Sequence, residues 1–190
     1  MCKDWKGYWI GLAALALGLV STSAGAWCDF LTGGGFIITT ASGTHPPAKA
    51  NFGAGGGCKN GGPWGHLEYI DHGNGLNVHW LTITGYFVVS NQGAENDPKR
   101  TGSRLVCGTA RTNLYGDVDF AFYAADNGEP GVNDEFVIRL RQSGTVVYTT
   151  EGDPDHTLGG GGPGGGNIQL HKPNPSTADS FAMTCRAETG

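Results

Sequence analysis

The chain lacks most of what would point to a familiar catalyst or nucleic-acid binder. Charged residues make up 15% of its 190 residues, and the 12 lysines and arginines form no cluster. Without a basic patch there is no electrostatic footprint for nucleic acid or anionic lipid. No CxxC pair is present, which argues against a zinc ribbon or a redox dithiol. No GxSxG, HExxH or Cys/His nucleophile signature occurs in the right context. Seven glycines lie between Gly159 and Gly166, but no Lys-Ser/Thr and no helix follow them, so they are not a phosphate loop. There is no internal repeat of fixed period. Beyond residue 26 there is no helical periodicity and no apolar run long enough to anchor the chain in a membrane.

The first 26 residues are expected to be a secretory leader of the Sec type. Lys3 and Lys6 precede an apolar run from Ile10 to Val20, and Ala24-Gly25-Ala26 has the small-x-small form of a cleavage site. Trp27 stands where a lipobox needs a small residue, which argues against a lipoprotein. Removing Lys3, Lys6 and Asp4 leaves 10 basic and 16 acidic residues, a net charge of −6 on 164 residues. That length suffices for one domain with a substantial core. Four cysteines remain: Cys28, Cys58, Cys107 and Cys185. An even number in an exported chain suggests two disulfides, and four cysteines allow three connectivities. The expected pairing is Cys28–Cys185, tying the termini, and Cys58–Cys107, pinning a glycine-rich loop to a strand.

What is present is alternation. From Gly116 to Leu140, Val118, Phe120, Phe122 and Ala124 alternate with Asp117, Asp119, Ala121 and Tyr123, and Phe136, Ile138 and Leu140 do the same further on. Between them the turn-forming run Asp126 to Gly131 makes the pair a β-hairpin with a long polar tip. A second hairpin is expected around Asn74-Gly75, with Tyr69 opposite Trp80 on its core face and His66, Glu68, Ile70, His72, His79, Leu81 and Ile83 on the other. Gly33–Thr40, Ala50–Phe52, Tyr86–Ser90, Arg104–Thr112, Val146–Thr150 and Asn167–His171 read as further strands. Gly53–Gly65 reads as a flexible loop and Gly85 as a bend or bulge. The fold class expected is all-β, an antiparallel β-sandwich of about nine short strands, spanning residues 27–172 with a tail over 173–190.

The ordered series GGGFI (33–37), ANFG (50–53), GHLEY (65–69), LNVH (76–79), CGTA (107–110), GDVDFAF (116–122), DEFVIRL (134–140), TVVYTT (145–150) and LGGGG…GGNIQLHK (158–172) resembles the bacterial secreted domain called post-COAP. The resemblance covers roughly Gly33 to Lys172 and implies a β-rich extracellular module with no established enzymatic activity and no catalytic residues to carry over. The four cysteines, the Asp126–Gly131 tip and a second Pro/Gly insertion at Gly162–Gly164 depart from that pattern.

Four constellations are chemically suggestive. One is Asp153-Pro154-Asp155-His156 before the glycine run, whose paired carboxylates could serve glycoside hydrolysis but sit in a flexible loop rather than on a rigid scaffold. His72 and His79, about 7–8 Å apart as diagonal neighbours, with Glu68 beside His79, suit zinc or copper; the same residues also suit a half-solvated sheet face. Asp126, Asn127, Glu129 and Asp134 offer hard oxygen ligands for calcium, although they are equally what a turn requires. Trp64 and Tyr123 are candidate stacking residues for a sugar or a protein surface. No catalytic residue and no obligatory cofactor is expected; calcium at the tip and zinc at the histidine face are the metal options. The function this supports is a secreted, non-catalytic extracellular or cell-surface interaction module, its partner a protein or a glycan. The alternatives are a carbohydrate-binding module specifically, and a metal- or carboxylate-dependent hydrolase built on His66, Glu68, His72 and His79.

Overall fold

The computed structural model describes residues 28–43, 46–59, 61–95, 97–173 and 183–188; the expected leader lies outside them. Among the described residues, nine antiparallel strands form one open sheet: β1 (Phe30–Thr39), β2 (Ala48–Lys59), β3 (Gly62–Asp71), β4 (Leu76–Gln92), β5 (Thr101–Thr112), β6 (Gly116–Asp126), β7 (Glu135–Gln142), β8 (Thr145–Thr149) and β9 (Gly166–His171). Strands β1 to β8 run as a meander, and β9 returns to pair with β1, giving the order β8-β7-β6-β5-β4-β3-β2-β1-β9. The sheet rolls over on itself. Phe52 of β2 stacks on Phe136 of β7 with ring centroids 3.9 Å apart, although five steps separate their strands in the sheet. The two layers of the core are thus two halves of one sheet.

The alternation in β6 and β7 does what the pattern predicts. Val118, Phe120, Phe122, Ala124, Phe136, Ile138 and Leu140 are all buried and meet Leu31, Ile37, Leu67, Tyr69 and Ile168 from the other half. Gly85 sits at a register shift in β4, as expected for a bulge.

Three expectations are corrected. The stretch Gly53–Gly65 is not a loop: it is the paired arms of the β2–β3 hairpin, with Gly53 opposite Glu68 and Gly57 opposite Trp64. The Asn74-Gly75 hairpin closes two residues tighter, with Asp71 opposite Leu76 and Tyr69 opposite Val78 rather than Trp80. Asp71 causes this, because its carbonyl accepts Gly75 N–H and its carboxylate accepts Gly73 N–H. A shift of two preserves parity, so the side chains of β3 and of β4 up to Trp80 keep their expected faces. Beyond the register shift between Trp80 and Thr82 the phase of β4 reverses, so Ile83, expected outside, packs against the core and Thr82, expected inside, is exposed.

The disulfides are Cys28–Cys58 and Cys107–Cys185. Pairing of Phe30 with Gly57 brings Cys28 beside Cys58. Cys58 faces the core, whereas Cys107 lies in a separate outer cluster with Ala121 and Ala187, so the expected Cys58–Cys107 bond would have to cross the sheet. The tail is held by more than its cysteine. Thr184 exchanges hydrogen bonds with Thr84, and Arg139 pairs with Glu188 at 2.9 Å.

Candidate functional site

The outer face of β9, β1, β2 and β3 carries an aromatic platform. Pairing places His171, Phe30, Gly57 and Trp64 in one row across four strands, followed by Gln169, Thr32, Gly55 and His66 in the next. Phe30 stacks on His171 at 4.3 Å with ring planes 9° apart, and Trp64 tilts against Phe30 at 6.0 Å. Glycine is required beneath them. A methyl at Gly57 would meet Phe30 Cβ at 2.5 Å and Trp64 Nε1 at 3.1 Å, and one at Gly55 would meet the His66 ring at 3.1 Å. Large rings over cross-strand glycines are how an otherwise weak glycine strand is stabilised. The result is a half-exposed aromatic surface, anchored beside the Cys28–Cys58 disulfide, with imidazole, amide and hydroxyl groups around it.

His171 links this surface to stability. Its Nε2 is hydrogen-bonded to Thr32 Oγ1 at 2.7 Å, and burial lowers its pKa below 6.5, partly opposed by the charge of Asp126. The folded state therefore favours the neutral ring. Stability from this source is complete above the unfolded value near 6.5 and is lost as pH falls through the depressed folded value. The melting temperature is expected to fall between about pH 7 and pH 5. His171→Phe, which keeps the stack without a titrating group, should flatten that slope; an unchanged slope would assign it to other groups.

The tip residues serve the fold. Asp126 and Asp134 are buried, and all four carboxylate oxygens accept backbone N–H groups: Gly128 and Leu170 for Asp126, Asn127 and Ile168 for Asp134. Leu170 and Ile168 lie on β9, so these carboxylates satisfy its outer edge where the rolled sheet comes back on itself. Burial raises the pKa of Asp134. Asn127 donates to Asn133 O, and Glu129 accepts from Asn167 Nδ2 at 3.1 Å. The residues expected as calcium ligands therefore also brace the turn and β9.

The histidine face is equally dispersed. His79 pairs with Glu68 directly across the ladder, and His72 Nε2 is held by Asn51 Oδ1 at 2.8 Å. Among the described residues, no three His, Cys, Asp or Glu side chains converge as a metal group. Trp64 and Tyr123 are not one platform: Tyr123 lies on β6, half-buried opposite Leu105 and Val137. Asp153 is buried and accepts Thr40 N–H and Oγ1–H, Asp155 caps Thr157, and His156 donates to Thr150 O.

Sequence reasoning missed two buried polar networks. In one, Tyr69, Tyr148 and Asp71 form a hydrogen-bonded chain with contacts of 2.7 and 2.8 Å, and burial raises both tyrosine pKa values. In the other, Asp29 receives Arg100, Arg104 and the Tyr86 hydroxyl, while Arg104 also donates to Ser90 O, Ser103 O and Asn91 Oδ1. A signal existed. Arg104 occupies the inward phase of β5, in step with Val106, Gly108 and Ala110, where an arginine must be paired. Phe30 and His171 gave no such signal, because only pairing of the chain's distant ends brings them together.

Comparison with family models, with curated proteins and with solved structures finds no match. No helix among the described residues is long and apolar enough to cross a membrane.

Proposed function

We propose that this protein is a secreted, non-catalytic extracellular interaction module, and that the ligand of its platform is a glycan. The observation that carries the reading is the row His171–Phe30–Gly57–Trp64, with His66, Gln169 and Thr32 beside it. Aromatic rings offer a stacking surface for the C–H faces of sugars, and flanking amide, imidazole and hydroxyl groups can exchange hydrogen bonds with sugar hydroxyls. A platform fixed on strands and braced by a disulfide loses little entropy on binding. Two disulfides suit an oxidising compartment, and the post-COAP resemblance points the same way. The hydrolase reading is less favoured, because His66, Glu68, His72 and His79 lie along an exposed sheet face with separate partners rather than converging in a cleft.

Affinity electrophoresis through gels containing individual polysaccharides tests this. Retardation by at least one polysaccharide, weakened roughly tenfold in Kd by Trp64→Ala, is the expected result, as loss of about 1.4 kcal/mol of stacking would give. Unretarded migration through a broad panel, or retardation that Trp64→Ala leaves intact, would overturn it. A melting curve of the variant shows that it remains folded.

A further inference from the structure

We propose that the cavity beside the outer edge of β9 binds the terminal uronic-acid unit of an acidic polysaccharide; this rests on the glycan reading of the platform and names a ligand class for it. The cavity has a volume of about 410 Å³ and is lined by Pro98, Lys99, Arg100 and Thr101 ahead of and into β5, by Asp126, Gly128 and Glu129 at the end of β6, and by Gln169 and Leu170 of β9. That volume is in the range of small-ligand sites, roughly 300–1,000 Å³.

Its chemistry has two sides. Lys99 and Arg100 make a cationic wall. Arg100 is only 6% exposed, with Nη2 on Asp29 and Nη1 on Glu95 O. Arg100 and Arg104 share the single carboxylate of Asp29, and burial together with the charge of Arg104 lowers the pKa of Arg100. Two buried guanidiniums on one carboxylate leave an excess positive charge, costly in a low-dielectric interior. The unbalanced charge asks for an anionic oxygen on the side of Arg100 that lines the cavity. Facing this wall are Asp126, its oxygens already taken by Gly128 and Leu170 N–H, and Glu129, which holds Asn167. His171 and the exposed Asp97, whose carboxylate accepts Lys99 N–H, stand nearby.

A bare anion would meet the carboxylates opposite. A neutral sugar would leave the cationic wall unused. An acidic sugar supplies a carboxylate for Lys99 and Arg100 and hydroxyl donors for Glu129, Gln169 and Thr101. The cavity is also continuous with the platform, since Gln169 lies in the row beside His171 and Phe30. A chain end seated in the cavity can therefore continue over the aromatic rings.

The test is amide chemical-shift mapping on the full chain with three probes: a galacturonic acid trimer, a neutral galactose trimer and glutamate. The expected result is saturable shifts at Thr101, Gly128 and Gln169 with the acidic trimer alone. Lys99→Ala should weaken this roughly fivefold, as loss of one partly exposed ion pair does. Arg100→Gln, which leaves Asp29 paired with Arg104, should abolish it while a melting curve shows a folded protein. Equal shifts at these amides with the neutral trimer or with glutamate, or no shifts there with the acidic trimer, would overturn the assignment. If the neutral trimer binds in a Trp64-dependent way while these amides stay silent, the glycan reading stands and the cavity assignment alone fails.

Discussion

Asp29→Asn should destabilise the protein by about 3–5 kcal/mol, the usual cost of removing one partner from a buried ion pair. Asp29, Arg100, Arg104 and Tyr86 are each at most 6% exposed. The carboxylate takes Arg104 Nε at 3.0 Å and Tyr86 Oη at 2.5 Å, besides the terminal nitrogens of both arginines. An asparagine retains the shape but leaves two guanidiniums buried without a counter-charge, and its amide nitrogen would oppose a donor. In a domain of this size the melting temperature drops by roughly 2–4 °C for each kcal/mol. Tyr86→Phe removes one hydrogen bond and no charge, so it should cost only about 1–2 kcal/mol. Thermal melts at low and moderate salt decide the matter. Because the charges are buried, the difference between Asp29→Asn and the parent should change little with ionic strength. A loss comparable to that of Tyr86→Phe would mean that the arginines find water, and that the cluster is less desolvated than its burial indicates.

The Asp29 cluster also shows where sequence reading stops. Period-two alternation is a local signal, and it placed β6 and β7 and the faces of β3 and of β4 up to Trp80 correctly. The bulge after Trp80, which exchanges the faces of Thr82 and Ile83, left no such mark in the pattern. Hydrogen-bond register is decided by turn chemistry. There Asp71, which accepts two turn N–H groups through different oxygens, outweighed the Asn-Gly dipeptide that suggested the looser loop. The disulfides depend on which face each cysteine occupies and on where the tail docks, and neither is local. The structural role of the tip was not legible for a related reason. Asp126 and Asp134 have the composition of a cation loop, yet their lone pairs are needed by β9, a strand more than thirty residues later whose edge had to be satisfied once the sheet rolled. The platform was half legible. Trp64 stood out as an aromatic, but its placement looked like a loop because glycine was read as flexibility. In β2 the glycines are instead the space that Trp64 and His66 occupy.

That distinction between glycine as flexibility and glycine as space yields the second large effect. Gly35→Ala should destabilise by about 1–3 kcal/mol or more, whereas Gly53→Ala should be close to neutral. A methyl on Gly35 would lie 2.2 Å from Gly165 O and 2.8 Å from Gly166 Cα, both backbone atoms of the glycine run that crosses β1. Phe36 N–H donates to Gly165 O at 2.8 Å, so the run cannot retreat without breaking that bond and the adjoining Gly35–Gly166 pairing. The run is glycine-rich for the same reason: a methyl on Gly165 would meet Leu158 C and Gly159 N at 2.3 Å. Gly53 lies in the neighbouring strand with nothing within 4 Å of the added carbon, and it is absent from the residues of positive φ. There, restricting the unfolded chain can even stabilise by about 0.4–1 kcal/mol. Denaturant midpoints of the two variants measured side by side test the pair. Comparable losses at both positions would mean that backbone freedom, not the contact between the glycine run and β1, is what these residues supply.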